Sequence, residues 1–138
     1  MTLISLAKLY LLTFATYITI DLSWILKIAK PFYQKHLGYL MTNEPKLLPA
    51  IIFYLLFSVG LLIFVIIPAL ESKSVSKALL LGFFFGLVSY SAYDLTNHAT
   101  LKDWPLIMTV VDMLWGATVS CITSGIIVSV VRYFKLTI

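Results

Sequence analysis

Three aspartates stand inside membrane-length apolar segments of this chain, and they are the residues most able to do chemistry. Asp21, Asp94 and Asp112 each interrupt a run of hydrophobic side chains. An ionised or unpaired polar group in hydrocarbon costs several kcal/mol, so these carboxyls need partners, a proton or a bound cation. A ligand or proton site is therefore the first hypothesis. The second is that the carboxyls only hydrogen-bond neighbouring helices and fix their packing.

The polar and aromatic residues around these aspartates have helical spacing. Asp21-Leu-Ser-Trp24 and Asp112-Met-Leu-Trp115 repeat one Asp-x-x-Trp pattern, while Tyr90, Asp94 and Asn97 follow at spacings of four and three. Residues three or four apart share one face of a helix. The predicted ligand-binding or proton-binding residues are Asp21, Trp24, Tyr54, Tyr90, Asp94, Asn97, Asp112 and Trp115.

The composition identifies an integral membrane protein. Of its 138 residues, 61% are hydrophobic and 12% are charged, whereas soluble domains carry roughly 25% charged residues. This length has room for four spans of about 20 to 25 residues with short connections, and none for a separate soluble domain. Basic loops facing anionic lipid explain the net charge of +4, and no nucleic-acid partner is expected.

Four helical spans are predicted, at about 2–30, 48–70, 77–101 and 105–132. Pro31 is expected to end the first span because its ring disfavours helix at the preceding residue, and Pro68 interrupts the second near its end. Segment 31–48 mixes aromatic with charged residues, which is typical of an interfacial segment. The predicted fold class is all-α, a four-helix transmembrane bundle with a short interfacial segment between helices one and two, in a single domain covering 1–138.

These spans place the three aspartates at one level of the membrane. Four spans put both termini on one side, and the connections after spans one and three on the other. Asp21 and Asp94 come about nine and seven residues before their spans end on that second side, and Asp112 about seven after span four begins there. At about 1.5 Å per residue, each lies roughly 10 Å inside that interface. Tyr54 reaches the same level, so an acidic pocket with aromatic walls is predicted.

Other features of the sequence narrow the chemistry. No Walker, dinucleotide-binding, Gly-x-Ser-x-Gly or His-Glu-x-x-His pattern occurs. His36 and His98 lack ligand spacing, so no metal is expected and no cofactor is identified. Gly82-x-x-x-Gly86 predicts the close approach of another helix, within the bundle or in a homo-oligomer. Five basic residues lie toward each side, so the positive-inside rule leaves the orientation open.

Five short motifs resemble those of a known family. They are Phe53-Tyr54, Pro68-Ala-Leu70, Tyr90-x-x-Tyr-Asp-Leu-Thr-Asn97, Ala99-Thr-Leu-Lys-x-Trp-Pro105 and Asp112-x-x-Trp-Gly116. Through these motifs nearly the whole chain resembles the membrane proteins called domain of unknown function 2177. The resemblance implies a small polytopic protein of the bacterial inner membrane with no assigned activity, and its motifs include Asp94, Asn97 and Asp112.

Three functions fit these residues. In the first, a small membrane protein binds or transports a small cationic or amphipathic molecule, with or without coupling to protons. In the second, a membrane enzyme acts on a lipid, with Asp94 and Asp112 as acid and base. In the third, the protein is a structural or accessory subunit whose polar layer only packs helices. Membrane lipid and an unidentified small molecule are the expected partners.

Overall fold

Four long helices make up most of the computed structural model, which describes residues 2–136. They are α1 Leu3–Leu37, α2 Leu47–Glu71, α3 Val75–Thr100 and α4 Leu106–Tyr133. Each is long and apolar enough to cross a membrane. No strand occurs within residues 2–136. The predicted all-α, four-helix architecture is therefore confirmed.

Prolines lie inside α1 and α2 without ending them. Pro31 and Pro68 lack an N–H group, and their rings press on the carbonyl one turn earlier. In each helix a five-residue π-helical segment comes just before the proline, Ile25–Ala29 in α1 and Leu62–Ile66 in α2. The wider π turn gives the ring room and lets the helix continue. Helix α1 therefore extends to Leu37 instead of ending before its proline.

The segment predicted to lie at the membrane interface is consequently divided. Its first part, Lys30–Leu37, is the last part of α1, and only residues 38–46 connect α1 to α2. In that connection the Tyr39 hydroxyl donates a hydrogen bond to the backbone carbonyl of Asp103, at 2.9 Å. Asp103 belongs to the connection between α3 and α4, so the two connections meet at one end of the bundle.

Helices α3 and α4 pack closely because small residues line their contact. A Cβ added to Gly82 would lie 2.7 Å from the backbone carbonyl oxygen of Ser120, and one added to Gly86 would overlap the backbone of Gly116. Glycines spaced in this way let two helix backbones approach in a membrane. The predicted close approach therefore occurs within the chain, and α4 already occupies the face that was considered for a homo-oligomer. A homo-oligomer stays a prediction.

An apolar core fills the half of the bundle nearer the chain termini. Its buried residues come from all four helices and are Leu9, Leu61, Leu62, Val65, Ile66, Ala69, Ala78, Ile127, Val128 and Val131. The buried aspartates lie in the other half, toward the two connections. The bundle thus separates an apolar packing half from a polar half, and the candidate site lies in the second.

Candidate functional site

Asp21 ties three helices together. It lies on α1 with 3% of its surface exposed. Its Oδ2 accepts a hydrogen bond from the Tyr54 hydroxyl on α2 at 2.6 Å, and its Oδ1 accepts one from the Trp115 Nε1–H on α4 at 2.7 Å. Hydrogen bonds to a carboxylate are stronger than those between neutral groups. Because protein donors take both oxygens, this carboxyl is satisfied without a ligand.

Asp112 has a less complete set of partners. It lies on α4 with 8% of its surface exposed, and the Tyr33 hydroxyl donates to its Oδ1. Tyr33 is its one hydrogen-bond donor among residues 2–136, which leaves Oδ2 unpaired beside a cavity that Asp112 lines. An unpaired carboxylate oxygen in a largely apolar setting favours a positively charged or hydrogen-donating ligand.

The two carboxyls line one cavity of about 320 Å³, here called the chamber. Most of its wall is aromatic, and the lining residues are Asp21, Trp24, Ile25, Tyr33, Phe53, Tyr54, Tyr90, Tyr93, Asp112 and Trp115. Among the described residues no lysine or arginine contributes to this wall. Aromatic faces and carboxylates both attract cations, so the chamber is built from groups that favour positive charge.

The two Asp-x-x-Trp motifs meet in the chamber wall. The rings of Trp24 and Trp115 stack with centroids 4.3 Å apart and planes 8° from parallel. Trp115 also donates to Asp21, so the motif on α4 holds the carboxyl of the motif on α1. The buried Nε1 of Trp24 has no hydrogen-bond partner within residues 2–136. The two motifs that repeat in the sequence are thus in direct contact in the structure.

Tyrosines connect the chamber to the packing beside it. The hydroxyls of Tyr17 and Tyr90 lie 3.1 Å apart, within hydrogen-bonding distance. Tyr17 is fully buried and stacks on Phe57 with ring centroids 4.8 Å apart. The Tyr90 ring lies against Gly116, where an added Cβ would overlap it. Gly116 therefore makes room for one of the chamber's walls.

Asp94 is buried but does not line the chamber. Its side chain is 0% exposed, and neither carboxyl oxygen has a hydrogen-bond partner within residues 2–136. The register that sets Gly86 against Gly116 places Asp94 opposite residues 108–112 of α4. Asn97 is half-buried and does not line the chamber either. Six of the eight predicted residues thus share the chamber, and these two do not.

Tyr33 is one of four chamber residues that reasoning from the sequence missed. The sequence predicts it in the interfacial segment, whereas it lies on α1 and donates to Asp112. A sequence signal was present, because Tyr33 continues the four-residue spacing that starts at Asp21. In the structure every fourth residue from Asp21 to Tyr33 is buried or lines the chamber. The expectation that Pro31 ends the helix concealed this periodicity. The other three are Ile25, Phe53 and Tyr93. Phe53 and Tyr93 belong to the motifs that carry the family resemblance, whereas nothing in the sequence distinguishes Ile25 from an ordinary span residue.

Comparison with known proteins decides the family. A family model described as a predicted membrane protein, DUF2177, matches residues 6–129. The chain belongs to the DUF2177 family. The resemblance read from the sequence motifs is confirmed, and so is an integral membrane protein with several apolar helices. No curated protein and no solved structure matches this DUF2177 protein.

The family has no assigned function, so the chemistry of this DUF2177 protein rests on the chamber. Within residues 2–136 no group of three His, Cys, Asp or Glu side chains is placed to hold a metal ion. The chamber offers two carboxyls, several phenolic hydroxyls and indole rings. Such groups bind by charge, hydrogen bonds and aromatic contact.

Proposed function

We propose that this DUF2177 protein binds a small organic cation, an amine or a quaternary ammonium group, in the chamber, and that it does so in a bacterial inner membrane. The observation that carries the proposal is the unpaired Oδ2 of Asp112 in an aromatic wall to which no described lysine or arginine contributes. Transport of the same cation would use the same site.

The energetics favour one positive charge. A carboxylate removed from water without a counter-ion loses several kcal/mol of solvation, and a bound cation restores part of it. Aromatic faces add about 0.5–2 kcal/mol when a cation lies against them. Asp21 is already satisfied by Tyr54 and Trp115, so of the two carboxyls that line the chamber Asp112 is the one that gains more from a ligand. A monovalent cation matches that single site.

The dimensions favour a small ligand. The chamber volume of about 320 Å³ lies at the lower end of the range for small-molecule pockets, about 300–1,000 Å³. Alkyl groups on an ammonium nitrogen would contact the rings of Trp24, Trp115 and Phe53, which belong to the wall. A compact cation with apolar substituents therefore fits both the size and the chemistry of the cavity.

The other two hypotheses receive less support from the same geometry. An acid–base mechanism on lipid needs Asp94 and Asp112 to face one substrate, and only Asp112 lines the chamber. A purely structural role describes Asp21 well, because its two hydrogen bonds join α1 to α2 and α4. It does not account for the second carboxyl, whose Oδ2 is left beside an open cavity.

Equilibrium binding of radiolabelled tetraethylammonium to the purified protein in lipid nanodiscs tests this function. Asp112→Asn keeps an acceptor for the Tyr33 hydroxyl and removes the charge, so we expect affinity to fall by about tenfold or more, the equivalent of 1.4 kcal/mol. Asp103→Asn is the matched control, because Asp103 is an exposed residue of a connection, and it should leave affinity unchanged. Absence of binding to the unaltered protein, or equal binding by both variants, would contradict the proposal.

A further inference from the structure

A second cavity, of about 180 Å³, adjoins the chamber and is here called the vestibule. The two cavities share three wall residues, Tyr33, Tyr93 and Asp112. The hydrogen bond from the Tyr33 hydroxyl to Asp112 therefore lies in the wall that divides them. Because Asp112 belongs to both walls, one carboxyl borders both spaces.

The vestibule has a wall that also suits an organic cation. Tyr93 and Trp104 meet edge to face, with ring centroids 6.0 Å apart at 79°. The Trp104 Nε1–H donates to the Thr109 Oγ1 at 3.1 Å, which fixes the indole in place. Met41 and Met108 supply thioethers to the same wall. Aromatic faces attract cations, and thioether side chains adapt their shape to a passing group.

Met41 connects the vestibule to the end of the bundle. It lies in the connection between α1 and α2, is 43% exposed, and also lines a third cavity with Lys30, Gln34 and Asn43. That polar cavity lies beside the connection itself. The vestibule thus stands between the connection end of the bundle and the chamber.

Tyr33, one of the residues in the dividing wall, lies on a part of α1 whose backbone hydrogen bonding is irregular. Tyr33 follows the π-helical segment Ile25–Ala29 and Pro31. π-Helical turns are frequent at functional sites, and a proline removes one of the backbone hydrogen bonds that hold the helix straight. A small rotation of Lys30–Leu37 would separate the Tyr33 hydroxyl from Asp112 without unfolding α1.

We propose that the vestibule is a transit site for the cation bound in the chamber, and that the Tyr33–Asp112 hydrogen bond is the gate between the two. The inference rests on the proposed function, since it concerns access to the same site. When Tyr33 turns away, both oxygens of Asp112 are free, and the cation keeps one counter-ion from the vestibule to the chamber. When Tyr33 returns, the chamber is closed toward the connections.

A thiol-accessibility measurement tests the gate without requiring equilibrium binding. Ile25→Cys places a thiol in the chamber wall, outside the vestibule, and Cys121→Ser removes the native thiol. The probe is 2-(trimethylammonium)ethyl methanethiosulfonate, which carries a quaternary ammonium group. Adding Tyr33→Phe should speed modification by about tenfold or more, the effect of losing one hydrogen bond to a charged acceptor. Met41→Trp should slow modification severalfold by filling the vestibule.

Each variant has a matched control. Tyr39→Phe also removes a tyrosine hydrogen bond at the same end of the bundle, but Tyr39 lines neither cavity. Leu114→Trp adds an indole to the exposed face of α4. Both controls should leave the rate unchanged. The measurement is made at about 0.15 M salt, where the Debye length is about 8 Å. Repulsion between the positively charged probe and Lys30, which lines the cavity beside the connection, is then weak.

The outcomes separate the two proposals. If Tyr33→Phe and Met41→Trp both leave the modification rate of Ile25→Cys unchanged, the vestibule is not the route and the gate is overturned. The modification rates test the gate whether or not tetraethylammonium binds. Failure of the chamber as a cation site would be seen in the binding measurement instead. Size-exclusion elution checks the fold, and if Tyr33→Phe fails to fold, the response to Met41→Trp alone decides.

Discussion

The two Asp-x-x-Trp motifs have the same residues at the same spacing, yet their carboxyls differ in what surrounds them. Asp21 receives hydrogen bonds on both oxygens, from Tyr54 and Trp115. Asp112 receives one, from Tyr33. Spacing along a helix decides which face a residue occupies, but neighbouring helices decide whether its hydrogen-bonding capacity is filled. The filled carboxyl holds the bundle together, and the unfilled one is available to a ligand.

The largest effect should come from removing the filled carboxyl. Asp21→Ala leaves the half-buried Tyr54 hydroxyl and Trp115 indole N–H without acceptors, and we expect the free energy of unfolding to fall by about 3 kcal/mol. Asp112→Ala releases only the Tyr33 hydroxyl and should cost about 1 kcal/mol. Denaturation of the purified protein by dodecyl sulfate measures both. Equal losses in the two variants would contradict the difference in hydrogen bonding between the two carboxyls.

A second test uses Gly116, which follows the tryptophan of the motif on α4. The motif on α1 has Ile25 at that position. An added Cβ at Gly116 would overlap the Tyr90 ring, so Gly116→Ala should lower the free energy of unfolding by about 2 kcal/mol through overpacking. Gly125→Ala on the same helix is the control. A Cβ there would meet only the flexible end of Leu79, at 2.6 Å, and a markedly smaller loss is expected in the same denaturation measurement.

The smallest expected effect distinguishes the two stacked tryptophans. Trp115→Phe removes the indole donor to Asp21 and should lower the free energy of unfolding by about 1 kcal/mol. Trp24→Phe loses the same ring area but removes an N–H that has no partner within residues 2–136, so its effect should be smaller than that of Trp115→Phe. Thermal denaturation followed by circular dichroism ranks the two. A larger loss for Trp24→Phe would show that its indole N–H has a structural role.

The spans were predictable because crossing a membrane depends on a local property, the length of an apolar helix. The predicted spans 48–70, 77–101 and 105–132 lie within a few residues of α2, α3 and α4. The end of helix α1 was harder to predict, because the rule that proline ends a helix is also local and takes no account of the turns before it. The π-helical segment Ile25–Ala29 overrides it, and the continuation brings Tyr33 to Asp112.

The membrane depth of the site residues was predictable, but the direction in which each side chain points was only partly so. Counting residues from the span ends gives the level of each carboxyl, and Asp21 and Asp112 do line one chamber. Asp94 lies on the same helix as Tyr90, yet only the tyrosine lines the cavity. The rotation of a helix about its axis is set by the surface it packs against. For α3 that surface is the glycine and serine contact with α4.

By itself, the sequence determined the membrane class, the four spans, the family and the polar and aromatic residues that lie at one level of the membrane. Only the tertiary structure decided which carboxyl is satisfied and which is left open. The donors to Asp21 stand 33 and 94 residues away along the chain, and the donor to Asp112 stands 79 away. No local pattern encodes such pairings, because they arise when separate helices pack and fix which side chains come within hydrogen-bonding reach.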